Sequence, residues 1–109
     1  MKRYTVVVNT EAERDLDDIA SYIAQHDPIE RAIDIAAGIE RSFSALVAFP
    51  NRGAHPKELL DYGNRDFREI HFKPYRIFYR VLTDKVVVVL IADGRRDMRV
   101  LLSRRLLGA

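Results

Sequence analysis

The run Val86-Val87-Val88-Val89-Leu90-Ile91 constrains this chain more than any other segment. It has neither the spaced polar positions of a surface helix nor the alternation of a half-exposed strand. β-branched residues suit a pleated surface, and a strand that is apolar at every position is covered on both faces. The run therefore belongs in the middle of a sheet. Thr83-Asp84 before it and Asp93-Gly94 after it are turn-forming pairs that set its ends.

The remaining strands follow from turn chemistry and composition. Phe67 to Phe72 and Tyr75 to Leu82 are rich in aromatic and branched residues, and Lys73-Pro74 separates them. Short reversals between successive strands predict an antiparallel meander ending in the central run. Tyr4-Thr5-Val6-Val7-Val8 reads as a further strand at the start of the chain.

Helical spacing fills most of what lies between. Thr10 and Glu13 match a capping box, and Leu16, Ile19, Ala20 and Ile23 recur behind them at helical intervals. Glu11, Arg14, Asp15, Asp17 and Asp18 are expected on the wet side, with the end of the helix near His26. Asp27-Pro28 with Glu30 repeats the start signal. A second helix then carries Ala32, Ile35, Ala36, Ile39, Phe43, Leu46 and Val47 on one side and stops by Phe49-Pro50. So short a connection predicts an antiparallel helical hairpin. Gly38 inside the second helix costs about 1 kcal/mol relative to Ala, and close packing against the first helix is the expected compensation. Residues 50–65 hold Pro50, Asn51, Gly53, Pro56, Gly63 and Asn64 and read as a long surface loop. Arg95 to Leu107 resumes helical spacing through Met98, Leu101, Leu102 and Leu106.

The expected fold is α+β, in the order β-α-α-β-β-β-α. An antiparallel sheet packs against a helical hairpin, with a short C-terminal helix. At 109 residues, one domain spanning 1–109 is expected. The chain has no cysteine, so disulfides and thiolate metal sites are excluded. Its three histidines share no metal-site spacing, and neither a metal nor a cofactor is expected. The opening MKRYTVVVNT is too short an apolar stretch for a signal peptide or a membrane span, which makes the cytoplasm the expected location.

Charge divides the chain. Residues 1–50 carry 5 Lys/Arg against 9 Asp/Glu, and residues 51–109 carry 13 against 7. All the basic residues but Lys2, Lys57, Lys73 and Lys85 are arginines, whose planar forks suit carboxylate or phosphate. A basic half can meet nucleic acid or an acidic protein. No helix-turn-helix or finger pattern is present, so direct sequence-specific DNA binding is not expected.

Two groups of residues are candidates for chemistry or binding. A tight reversal at Lys73-Pro74 would gather Glu69, His71, Arg76 and Arg80 on one sheet face, a set containing a base, an acid and a phosphate clamp. The plainer reading, that these are solvated strand residues making cross-strand charge pairs, is preferred. Arg95, Arg96 and Arg99 cluster where the last helix should begin and suit the carboxylates of a partner, with Asp97 offsetting their charge locally. Cations there oppose the helix dipole unless something pairs with them. Leu101, Leu102, Leu106 and Leu107 are core by default, with a groove for a partner helix as the alternative. Tyr75 and Tyr79 share a face with Ile77 and Val81 and are expected in the core.

Three segments together carry a family resemblance: Phe67-Arg68-Glu69-Ile70, Pro74-Tyr75-Arg76-Ile77-Phe78-Tyr79-Arg80-Val81, and Ile91-Ala92-Asp93-Gly94-Arg95-Arg96-Asp97. They resemble the C-terminal pattern of RelE/ParE toxins. Ala12, Asp15-Leu16, Ile19 and Tyr22-Ile23 are similar to the family's first helix, and only residues 50–65 lack a clear counterpart. The resemblance implies a growth-inhibiting toxin of a type II toxin–antitoxin system, of the kind tied to plasmid stabilisation, neutralised by a cognate antitoxin. RelE-like members cut messenger RNA on the ribosome, commonly with a histidine or tyrosine at the end of the last strand. This chain has Asp93-Gly94 there, where a carboxylate repels phosphate and glycine offers no side chain. ParE-like members inhibit DNA gyrase through protein contact, and Gly94 to Met98 followed by a leucine-rich helix looks more like that branch. The expected function is thus gyrase inhibition without catalysis, countered by a ParD-like antitoxin. Arg95, Arg96, Asp97, Arg99, Leu101, Leu102 and Leu106 would be the target- or antitoxin-binding residues. The alternative is a ribosome-dependent endoribonuclease using Glu69, His71, Arg76 and Arg80. A chain that keeps the fold and antitoxin binding but has lost toxicity is the third possibility.

Overall fold

In the computed structural model, which describes residues 2–108, the unbroken apolar run lies inside strand β4, Lys85–Asp93. It has a neighbour on each side. The other elements are β1 (Thr5–Val8), α1 (Thr10–His26), α2 (Ile29–Ser44), α3 (Lys57–Leu60), β2 (Arg68–Phe72), β3 (Tyr75–Val81) and α4 (Met98–Leu106). The sheet order is β1-β4-β3-β2. The meander β2-β3-β4 is antiparallel throughout. β1 joins the free side of β4 in parallel, from Thr5 opposite Lys85 to Val8 opposite Val88, so the complete sheet is mixed. Parallel neighbours need a long crossover, and the helical hairpin with the meander supplies it.

Both faces of β4 are covered. On one side Ile77, Tyr79, Val86, Val88 and Ile91 pack with Ile23 of α1 and Ile39 and Phe43 of α2. On the other, Phe78, Val89, Leu90 and Ala92 meet Leu59, Phe67, Met98, Leu101 and Leu102. A β-bulge makes this arrangement possible. Phe78 pairs with Leu90 and Tyr79 with Val88, so Val89 is the extra residue. Val89 and Leu90 then both serve the second core, and the local twist increases.

Several local expectations shift by a residue or change partner. Asn9, not Thr10, caps α1, its side-chain oxygen accepting from the Ala12 N–H at 2.8 Å. α2 starts without a side-chain cap, and the Asp27 carboxylate instead lies 3.5 Å from Arg31. After Ser44 the chain tightens into a 3-10 turn, Ala45–Val47, that buries Leu46. Residues 50–65 are not a plain loop: they contain α3, bury Pro56 and Leu59, and pair Ala54 with Glu69 at the edge of β2. One helical turn is too brief to show a period. α4 starts at Met98 with Asp97 as its cap, accepting from the Val100 N–H at 3.3 Å, so Arg95 and Arg96 precede the helix.

Gly38 packs against β2, not α1. A Cβ built there would stand 2.2 Å from the Cζ of Phe72. Asp15, expected in water, is instead drawn between elements. β1 ends opposite Val88, so the edge of β4 beyond it has no strand beside it. Asp15 Oδ2 accepts from the Ile91 N–H at 3.0 Å, and both its oxygens accept from Arg105 of α4, at 3.0 and 2.9 Å. Arg105 also donates to the Val89 carbonyl at 3.2 Å. Its Nε lies 3.3 Å from a Glu11 oxygen but makes no hydrogen bond. The Asp15 carboxylate raises the Arg105 pKa above its usual value.

Two stability measurements follow. Removing one partner of this part-buried ion pair leaves Arg105 and the Ile91 N–H unpaired, so Asp15→Ala should lower urea-unfolding stability by about 1–3 kcal/mol. The exposed Asp17→Ala should stay within about 0.5 kcal/mol of wild type. Gly38→Ala gains helix propensity but collides with the Phe72 ring, and should destabilise by about 1–2 kcal/mol. Gly38→Ala with Phe72→Leu should recover most of that loss in the same assay.

Candidate functional site

Register decides which charged side chains meet. His71 stands directly opposite Arg76 across β2 and β3, and Glu69 lies two residues back on the same face. Glu69 Oε1 is 2.8 Å from His71 Nε2 and accepts from Arg76 Nε at 2.7 Å. Arg76 Nη2 donates to the other Glu69 oxygen at 2.9 Å. The opposite side of the guanidinium is taken by Glu58 of α3, in a second bidentate pair at 2.8 and 2.9 Å. The side chains of Glu69, Arg76 and Glu58 are largely buried, whereas His71 is half-exposed. Arg80 does not join them; its guanidinium lies 5.7 Å from the centre of the Phe67 ring.

The network is electrostatically closed. Hydrogen bonding to Arg76 outweighs the cost of burial and holds the Glu58 carboxyl well below its ordinary range, at about 2. The same contact raises the Arg76 pKa. Every donor nitrogen of Arg76 points at a carboxylate, and Glu69 Oε1 serves both Arg76 and His71. Such a guanidinium has no fork free for a phosphate.

The end of β4 is equally committed. Asp93 accepts from the Arg95 N–H and Nε, each at 2.9 Å, and Arg95 holds its pKa down. Gly94 donates its N–H to the Pro74 carbonyl at 2.8 Å, and a Cβ there would lie 3.1 Å from that oxygen and 3.2 Å from Arg76 Cδ. Backbone packing therefore disfavours a side chain at this position. Arg95 is exposed apart from its contact with Asp93, and Arg96 has no carboxylate partner among the described residues. Arg99 pairs with Asp61, just beyond α3. Asp97 serves as the helix cap.

The leucine stripe is filled from inside. Leu101 and Leu102 are 3% and 1% exposed within the second core, and Leu106 packs partly buried against it. These leucines are core, the default reading, and the sheet already occupies the face that the alternative groove for a partner helix would need. Tyr75 and Tyr79 lie in the first core with Ile77 and Val81. The Tyr79 hydroxyl donates to the Pro50 carbonyl at 2.7 Å and accepts from the Gly53 N–H at 3.0 Å, tying residues 50–53 to the sheet. His26 and His55 each bond a nearby backbone carbonyl, of Tyr22 and Phe67. Sequence reasoning missed Glu58 and Asp61, which sit in the stretch taken for a loop, and the pairing of Asp15 with Arg105.

A mixed sheet between a helical hairpin and a short C-terminal helix defines a class that the comparisons name. Residues 6–98 match the family model described as ParE toxin of type II toxin–antitoxin system, parDE. Toxin ParE3 of Caulobacter vibrioides is 28% identical over 91 residues, 84% of this chain and 87% of that protein. A chain of the chromosomal ParDE toxin–antitoxin system of P. aeruginosa superposes with a TM-score of 0.71 at 20% identity, covering 84% of this chain and 96% of that one. A chain of the toxin–antitoxin complex RelBE2 of Mycobacterium tuberculosis gives 0.59 at 26% identity, covering 85% and 93%. The chain belongs to the ParE toxin family of type II toxin–antitoxin systems.

Glu58 provides a pH test of the network. Its pKa is depressed from 4.5 to about 2 in the folded chain, so its contribution is complete above pH 4.5 and is lost as pH falls towards 2. A depression of this size corresponds to about 3 kcal/mol as an upper bound, and solvent screening at this partly exposed pair lowers it to about 1–2 kcal/mol. Glu58→Gln should therefore lower the urea midpoint at neutral pH and flatten its decline between pH 4.5 and 2, read by circular dichroism.

Proposed function

We propose that this ParE-family toxin acts in the cytoplasm by binding DNA gyrase and blocking it through protein contact, and that a cognate ParD-like antitoxin neutralises it. The observation that carries this reading is the double carboxylate clamp on Arg76, made by Glu58 and Glu69. Cleavage of RNA by its own 2′-hydroxyl requires a free proton acceptor and a cation to stabilise the phosphorane. Here the acceptor and the cation neutralise each other. Gly94 adds support, since its close approach to Pro74 and Arg76 disfavours an acid or base at the end of β4. Arg95 and Arg96, exposed beside that strand end, are the side chains we assign to the target, with Asp97 holding the helix start and Arg99 alongside.

A second reading, ribosome-dependent cleavage of messenger RNA, draws on the contact of His71 with Glu69 at 2.8 Å opposite Arg76. The two readings separate in one pair of assays. Purified chain should inhibit gyrase supercoiling, and Arg95→Glu with Arg96→Glu should weaken that inhibition by at least about tenfold, as for charge reversal at an interface centre. His71→Ala should leave inhibition unchanged. Codon-phased cuts seen by primer extension soon after induction, abolished by His71→Ala, would instead establish the nuclease.

A further inference from the structure

A cleft of about 550 Å³ lies between the last turns of α2 and the edge strand β2, with residues 52–54 at its rim. Two arginines line it, Arg41 of α2 and Arg52 of the loop. Both are exposed, and neither meets a carboxylate among the described residues. Glu69 also lines the cleft, but both its oxygens accept from Arg76 and one contacts His71 as well. Arg76 itself, closed by its two carboxylates, is not part of these walls.

The loop that carries Arg52 is held firmly, although Arg52 has no partner of its own. The Tyr79 hydroxyl accepts from the Gly53 N–H at 3.0 Å, and Arg68 donates to the Asn51 and Gly53 carbonyls at 3.2 and 2.7 Å. A Cβ at Gly53 would stand 2.5 Å from the Glu69 carbonyl oxygen, so glycine is what lets the loop lie this close to β2. Fixing a binding group before its ligand arrives lowers the cost of binding. The backbone of β2 adds a donor. Glu69 donates its N–H outward to the Ala54 carbonyl at 2.8 Å. Outward N–H groups recur at every second residue of an antiparallel edge strand, so that of His71 faces the same side, and the bridge at Ala54 does not reach it.

Two guanidinium forks and an edge N–H offer more donors than the two oxygens of a carboxylate can take. A terminal phosphate has three acceptor oxygens and up to two negative charges, and matches them better. The cleft has room beyond a phosphate, and the partly exposed Ala45, Ile70 and Phe72 give it an apolar wall. Its occupant therefore carries an apolar body next to the anion.

We propose that this cleft binds a phosphate monoester of the nucleotide type, with Arg41 and Arg52 clamping the phosphate and Ile70 and Phe72 receiving the base or sugar. The proposal goes beyond the gyrase reading, because it names a small-molecule ligand at a surface that reading does not use. Its test therefore needs no gyrase. Adenosine monophosphate, adenosine, inorganic phosphate and a single-stranded oligonucleotide without terminal phosphates are titrated into the full chain at physiological salt, followed by amide NMR shifts. The monophosphate should saturate, with shifts confined to residues 38–45, 52–54 and 69–72, and should bind more tightly than the other three. Arg41→Gln and Arg52→Gln, both at exposed positions and checked for unchanged spectral dispersion, should each weaken it by at least about tenfold. Arg65→Gln, an exposed arginine outside the cleft, should leave it unchanged. Equal binding of adenosine would show that the phosphate is not read, and equal binding of inorganic phosphate that the body is not. Either result overturns the proposal. A comparable affinity for the oligonucleotide, or the same loss with Arg65→Gln, would reduce the site to a general cation surface and overturn it too. So would absence of saturation, shifts mapping elsewhere, or full binding by the Arg41 and Arg52 variants.

Discussion

Asp15 sits where a sheet edge, a helix and the end of the chain converge. β1 is only four residues long, and β4 outruns it by five. Backbone groups beyond that point face no strand, and an unpaired buried N–H is costly. The carboxylate takes up the Ile91 N–H, and its charge then demands a cation, which Arg105 supplies while also capping the Val89 carbonyl. One side chain thereby joins α1 to β4 and β4 to α4. The placement of α4 over the second core follows from this link together with Leu101 and Leu102.

A second set of charges gives the sheet's exposed end its character. Arg76 could serve several chemistries if it were free, yet α3 brings Glu58 against one side of it and β2 brings Glu69 against the other. The result is an ion-paired cross-link between a short helix and the meander, with two carboxylates on one guanidinium. Exposed arginines, by contrast, gather around the start and outer face of α4. Cations left solvated on a surface are available to partners, whereas cations closed into ion pairs support the fold. That division is the physical basis for reading the molecule as a binder.

What the chain discloses before folding depends on the range of the interaction. The central position of Val86–Ile91, the hairpin of α1 and α2 and the meander turns are local patterns, each written over a handful of neighbouring residues. The parallel direction of β1 is not local, because strand polarity leaves no mark on composition. α3 stayed hidden since a single turn holds too few residues for periodicity, and Leu59 becomes a core residue only when α4 closes over it. Glu58 was out of reach for the same reason. Asp15 looks no different from Asp17 and Asp18 along the chain; only the missing strand beside Ile91 singles it out. Gly38 inside a helix implies a close neighbour without naming it, and that neighbour is Phe72, thirty-four positions on.

The partners in the Asp15–Arg105 link are separated by 90 positions. The hairpin and the meander hold most of their contacts between themselves, but the edge of β4 is closed only with α4 in place. A nascent chain, or one terminated before α4, exposes Phe78, Leu90 and Ala92 on one face and an open ladder at Ile91. A fragment that lacks α4 is therefore an aggregation-prone species rather than a smaller version of the same molecule.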